Sequence, residues 1–219
     1  TNSVDYLPFG TNGTINPLMG DVSLNGVIQA FDASRVLQHT VGIITLNAKQ
    51  LVVADVSGAA GVTAMDASLI LQYVVGLINY FPAELLGPLP MFPTNAELVI
   101  GSASVIPGEE FDLPVMLKNV DGVFATQATL GYDPQYLDVT GIESLVPGMN
   151  LTSNIDSVSG VIRISFAGTD ALLSDKTFAN IRFKAKDNAP FITIPVEGTY
   201  FMANESELIS NIINGSILI

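Results

Sequence analysis

The chain has 219 residues, room for two ordinary domains, and its 21 acidic against 8 basic residues give a formal net charge of −13. That balance argues against nucleic acid as a partner, because neutralising phosphates needs a Lys/Arg surface. The absence of Cys excludes disulfides, thiolate zinc sites and cysteine nucleophiles, and it leaves the compartment open.

Residues 1–19 show no sustained period and read as an extended lead-in; the start at Thr1, without a signal-peptide pattern, suits a piece of a larger processed protein. A near-duplicate follows at an offset of 34 residues, Asp21 matching Asp55, Asp32 matching Asp66 and Gly42 matching Gly76. Each copy is a twelve-residue loop that opens and closes on Asp and runs into a short amphipathic helix. The first loop fits a calcium loop of EF-hand type: Asp21, Ser23, Asn25, the Val27 carbonyl, Gln29 through water, and Asp32 stand at the ligand positions, with Gly26 at the tight turn. Alternating oxygen donors converge when such a loop wraps a hard cation. The second loop keeps Asp55, Ser57, Thr63 and Asp66, with the Gly61 carbonyl at the seventh position, but Ala59 and Ala60 replace a ligand and the turn Gly. Ca2+ is therefore expected in the first loop and held more weakly in the second. An alternative reading makes Asp32 and Asp66 simple N-caps, which leaves Asp21, Ser23, Asn25 and Gly26 in register unexplained.

After the loops, Val36, Leu37 and Val41, and then Leu69, Ile70, Tyr73 and Val74, share helical faces, with Gly42 and Gly76 as stops. His39, the one His, reads as a solvated helix residue. The run 69–81, interrupted by Gln72 and Asn79, is too short for the roughly 20 residues of a membrane helix.

Two loop–helix units of this kind, without an incoming helix, resemble a dockerin module over residues 20–76. The resemblance implies that the pairs before the closing Asp, Ala30-Phe31 and Ala64-Met65, meet a partner cohesin together with Arg35 and Leu69 on the helices. The commonest dockerins carry Ser-Thr at those pairs, so an apolar contact is implied here. Aromatic–Pro clasps of the family would fall at Tyr6/Pro8 and Tyr80/Pro82.

Pro82, Gly87, Pro88, Pro90 and Pro93 mark a linker over 82–95, spanning at most about 40 Å at roughly 3.1 Å per residue. The expected division is thus a domain over 1–81, a linker over 82–95 and a domain over 96–219. From Ala96 the period becomes two, giving strands at 97–104, 111–118, 123–132, 136–142, 149–155, 161–167, 178–186, 191–196, 198–203 and 212–218. Turn residues lie between them, as in Pro107-Gly108 and Ser159-Gly160, which suggests an all-β sandwich of jelly-roll type. Phe124, Ala128, Leu130 and Tyr132 are expected inward, as are Ile162, Ile164 and Phe166, and Ile181, Phe183 and Ala185. The fold class expected is α+β in two domains: a small all-α calcium-loop/helix pair and this sandwich.

The second half resembles a cohesin over roughly 95–219. The resemblance is carried by Leu98-Val99-Ile100-Gly101, Pro107-Gly108-Glu109 before Leu113-Pro114-Val115, and Tyr132-Asp133-Pro134 ahead of Leu137-Asp138-Val139. Val161 to Ala167 and Ile181-Arg182-Phe183-Lys184 complete it. It implies a dockerin-binding outer face made of Ala125, Gln127, Thr129, Arg163, Ser165, Arg182 and Lys184. Six of the eight basic residues lie after residue 90, whereas the first ninety carry six acids against Arg35 and Lys49. A basic stripe of this kind would receive an acidic partner; strand alternation alone would also leave such residues solvated.

No nucleophile–base pair or cleft of paired carboxylates stands out, so no enzyme is expected. Two readings follow from the resemblances. In one, the chain is a non-catalytic, extracellular or cell-surface scaffold that binds cohesin or dockerin modules of other proteins or its own copies. In the other, the first half docks on its own sandwich as a calcium-stabilised spacer. A third class, a carbohydrate-binding jelly roll, needs an exposed aromatic platform, and Trp is absent.

Overall fold

The computed structural model of the chain describes residues 18–59, 61–85 and 94–219. Helices α1 (Ala30–Thr40), α2 (Ala48–Ala54) and α3 (Ala64–Val74) make up the first half. α1 and α3 are the two expected copies and end at Gly42 (φ 79°) and Gly76 (φ 78°), left-handed positions that stop a helix at least cost with Gly. α2 was not expected. Its signal is local: Asn47 caps it by accepting from the N–H groups of Lys49 and Gln50, and Gln50 reaches back to the Asn47 N–H, a capping box in a seven-residue helix. Phe81, buried and stacked on Tyr73 at 4.8 Å, closes the far end of this half, and Ala83 ties back to the Val56 carbonyl at 3.0 Å. Pro82 is buried and Tyr80 exposed, while Tyr6, Pro8 and linker residues 86–93 lie outside the described residues.

The second half is a two-sheet sandwich. One sheet holds β1 (Glu97–Ile100), β3 (Glu110–Lys118), β5 (Leu137–Ser144), β8 (Lys176–Ala185) and β11 (Ile212–Ile213), in the order β11-β1-β3-β8-β5. The other holds β2 (Ala103–Ser104), β4 (Val123–Gly131), β6 (Met149–Asp156), β7 (Val161–Leu172), β9 (Thr193–Ala203) and β12 (Gly215–Leu218), in the order β2-β12-β9-β4-β7-β6, with β10 (Ser206–Glu207) paired to β9. The strands expected at 191–196 and 198–203 are the single β9. Between the sheets lies a core that includes Leu98, Leu113, Leu130, Ile162, Phe166, Phe178, Ile181, Phe183 and Phe201, so alternation located the inward residues of β4, β7 and β8. Phe124 is the exception. A register irregularity between Val123 and Ala125 puts Val123 in the sandwich core and turns Phe124 toward the helices. Among the described residues no helix is long and apolar enough to cross a membrane.

Candidate functional site

The two loops have the same hydrogen-bond frame. In the first, Asp32 accepts from Ser23 N at 2.8 Å and Gln29 N at 2.9 Å; in the second, Asp66 accepts from Ser57 N at 2.8 Å and Thr63 N at 2.7 Å. Neither Asp is an N-cap, as the simpler reading had it. Gln29 and Thr63 hold that position, and Asp32 and Asp66 sit in the first helical turn, bonding backward into the loop. They thereby join the two ends of each loop, and both are fully buried.

The opening residues diverge. Asp21 accepts from Asn25 N at 3.0 Å, Gly26 N at 2.7 Å and the Ser23 hydroxyl at 3.2 Å, and Asn25 in turn accepts from Val27 N at 2.9 Å. Gly26 takes the positive φ (88°) that this turn requires. In the second loop Asp55 reaches Gly58 N at 2.9 Å and Gly61 N at 3.3 Å, while Ala59 is exposed and offers no side-chain oxygen. Ala60 lies outside the described residues. Among the described residues no three His, Cys, Asp or Glu side chains gather as a metal cluster; each loop offers two carboxylates with hydroxyl and carbonyl oxygens, and the first adds the amides of Asn25 and Gln29. Burial pushes the Asp66 carboxyl up to about 7, with the negative charge of Glu205 adding to the effect and the Thr63 and Ser57 N–H groups opposing it.

The helices part company in what they cover. On α3, Ala64 through Leu71 are all buried, whereas α1 buries only Asp32, Ala33, Val36 and Leu37 and leaves Phe31 54% exposed. The reason is the sandwich. Ala125 of β4 and Ala167 of β7, directly paired and fully buried, belong to the same apolar cluster as Val36, Leu37, Met65, Leu69, Ile70 and Phe81. Two small side chains side by side let a helix approach the sheet closely. Polar links surround the contact: the Ser68 hydroxyl donates to the Gly168 carbonyl at 2.6 Å, and the Thr40 and Ser165 hydroxyls bond at 2.8 Å. Asn154 Nδ2 donates to the Val41 carbonyl at 3.0 Å, and the Thr63 hydroxyl donates to Glu205 at 3.0 Å.

The expected partner residues thus fall into distinct groups. Ala64, Met65 and Leu69 lie buried in the cluster that holds Ala125, and Ser165 is fully buried beneath Thr40. Gln127 is half-buried, and its Nε2 has no hydrogen-bond partner. Thr129 and Arg163 sit half-buried and paired further along β4 and β7. Ala30 and Phe31 are exposed, with the Arg35 guanidinium 5.9 Å from the Phe31 ring centroid. Arg182 and Lys184 do not share this face at all. They lie on β8, in the opposite sheet, where Arg182 makes a two-pronged pair with Asp112 at 2.9 and 3.2 Å. Alternation gives the face of a strand but not its sheet, and the chain changes sheets between β7 and β8. The expected basic stripe is therefore split between two sheets. Glu205 was missed, because an acid in a turn looks in sequence like any solvated acid.

Residues 96–219 match the cohesin domain family. Over 139 residues, 58% of this chain, the protein is 31% identical to cellulose-binding protein A of Clostridium cellulovorans, a match spanning 7% of that relative's length. Its sandwich is similar to a type I cohesin–dockerin complex structure from Clostridium thermocellum (19% identity, 57% of this chain and 98% of that chain, TM-score 0.51). It is also similar to the third cohesin of ScaC, in complex with the ScaB dockerin, from Acetivibrio cellulolyticus (25% identity, 57% and 98%, TM-score 0.51). With the sandwich observed over the residues that match, the chain belongs to the cohesin family.

Proposed function

We propose that this chain is a non-catalytic protein-assembly unit: a dockerin-like calcium-loop pair seated on the β4–β7 face of its own cohesin sandwich, forming a rigid element of an extracellular or cell-surface complex. The carrying observation is the single apolar cluster that runs from the helices into Ala125 and Ala167. That the ScaC cohesin is in complex with a dockerin supports a loop–helix module as the natural occupant of such a sandwich.

Calcium fits the donor set, which is all oxygen at alternating positions around loops closed by buried carboxylates. Asp21, Ser23, Asn25, Asp32, the Val27 carbonyl and Gln29 through water would hold the first ion. Asp55, Ser57, Thr63, Asp66 and the Gly61 carbonyl would hold a weaker second. The ion supplies positive charge that fastens the loop ends together. No ion pair to Lys or Arg offsets Asp32 or Asp66 among the described residues, so a cation removes a real desolvation cost.

A second reading has one observation in its favour. Ala30 and Phe31 of the first copy stay exposed while their counterparts Ala64 and Met65 are used, so another chain would find an apolar pair there. Sedimentation velocity over a wide concentration range, in calcium and then in chelator, separates the two. A monomer throughout supports the self-seated unit; calcium-dependent association favours chain-to-chain assembly.

A further inference from the structure

The turn between β9 and β10 projects an acid from the sandwich onto the second calcium loop. Asn204 fixes that turn. It takes a left-handed backbone (φ 51°), accepts from Phe124 N at 2.8 Å and donates to the Gly122 carbonyl at 2.9 Å, pinning the turn to the start of β4. Glu205 is thereby held against Thr63, whose hydroxyl lies 3.0 Å from its carboxylate and 3.3 Å from that of Asp66. A hydroxyl has one proton to give, and the shorter contact takes it outward to Glu205. Of the two lone pairs on Thr63 Oγ1, one accepts from Met65 N at 3.1 Å and the other is then left for a cation at the ninth position.

We propose that Glu205 is a positioning residue for the second calcium loop, orienting Thr63 from across the domain contact and so making cation uptake there depend on docking of the two halves. The inference rests on the calcium reading above. The second loop is the copy that needs such help, since Ala59 removed an oxygen that Asn25 supplies in the first. Charge points the same way. Glu205 faces Asp55 and Asp66 without an ion pair to Lys or Arg among the described residues. The carboxylates of Glu205 and Asp66 flank the one Thr63 hydroxyl, and like charges so placed repel. A cation in the loop converts that repulsion into attraction across the contact. By linkage, docking raises calcium affinity by the factor by which calcium strengthens docking.

The test is isothermal calcium titration of the full chain. Wild type is expected to bind two ions, one more tightly. Glu205→Ala should weaken the second by about tenfold or more, the usual scale for losing an outer-shell partner, and leave the first unchanged. Glu205→Gln, which keeps an acceptor for Thr63 and loses only the charge, should fall between. Thr63→Val should weaken the same site, and adding Glu205→Ala to it should cost little more, because the two act through one hydrogen bond. Two sites titrating as wild type in Glu205→Ala would overturn the inference and leave the calcium reading standing. A single site insensitive to Thr63→Val would overturn it and spare the first loop. No calcium uptake by the wild-type chain would overturn both.

Discussion

Ser68 of α3 donates its hydroxyl to the Gly168 carbonyl of β7 at 2.6 Å, joining residues 100 positions apart inside a buried contact. Gln72 donates to the same hydroxyl at 3.0 Å, so Ser68 is both held and holding. Replacing it by Ala strands a buried carbonyl, a loss of about 1–3 kcal/mol. Urea unfolding of Ser68→Ala should show a lower midpoint, and an unchanged midpoint would mean that α3 does not bear on the sandwich there.

The duplicated loops give a paired test. Met65 is fully buried and its counterpart Phe31 is 54% exposed. Met65→Ala should lose about 2–5 kcal/mol, the range for truncating a buried side chain. Phe31→Ala should stay within about 0.5 kcal/mol, as surface changes do. Equal losses would indicate that both copies are engaged alike.

Ala167 pairs with Ala125 beneath the helices. A larger side chain there meets α3 and leaves the sandwich core untouched. Ala167→Leu should cost about 1–3 kcal/mol of overpacking. Amide hydrogen exchange should accelerate in α3 while β8 and β3 keep their protection; uniform protection would contradict the contact.

If calcium closes the loops, its addition stabilises the chain by about 2.7 kcal/mol at a hundredfold excess over Kd. The thermal midpoint should therefore rise with calcium and fall with chelator. Asp32→Asn removes a fully buried charge from the closing position of the first loop and should abolish most of that rise. A midpoint indifferent to calcium would contradict the reading.

The shared loop frame and the helices after it were legible because the 34-residue offset repeats Asp21, Ser23 and Asp32 as Asp55, Ser57 and Asp66. The strands were legible because Leu130, Ile162 and Phe183 alternate with polar neighbours. Sheet membership was not: Arg163 and Arg182 have the same local pattern and stand on opposite sheets. Nor was the docked face, since an outward Ala such as Ala125 carries no sign of a covering helix. The Phe124 error came from an irregularity that shifts parity by one residue, a backbone event with no side-chain signature.

The helical half sits on the sandwich of the same chain, and the absence of Cys makes that contact directly measurable. The Thr40 and Ser165 hydroxyl oxygens lie 2.8 Å apart, close enough for a Thr40→Cys, Ser165→Cys pair to oxidise without large movement. At low protein concentration we expect this variant to form an intrachain disulfide in a monomer, detected by mass and by non-reducing electrophoresis, while a Phe31→Cys, Ser165→Cys pair stays reduced. Disulfide-linked dimers in place of the intrachain bond, or no bond at all, would contradict the self-seated arrangement.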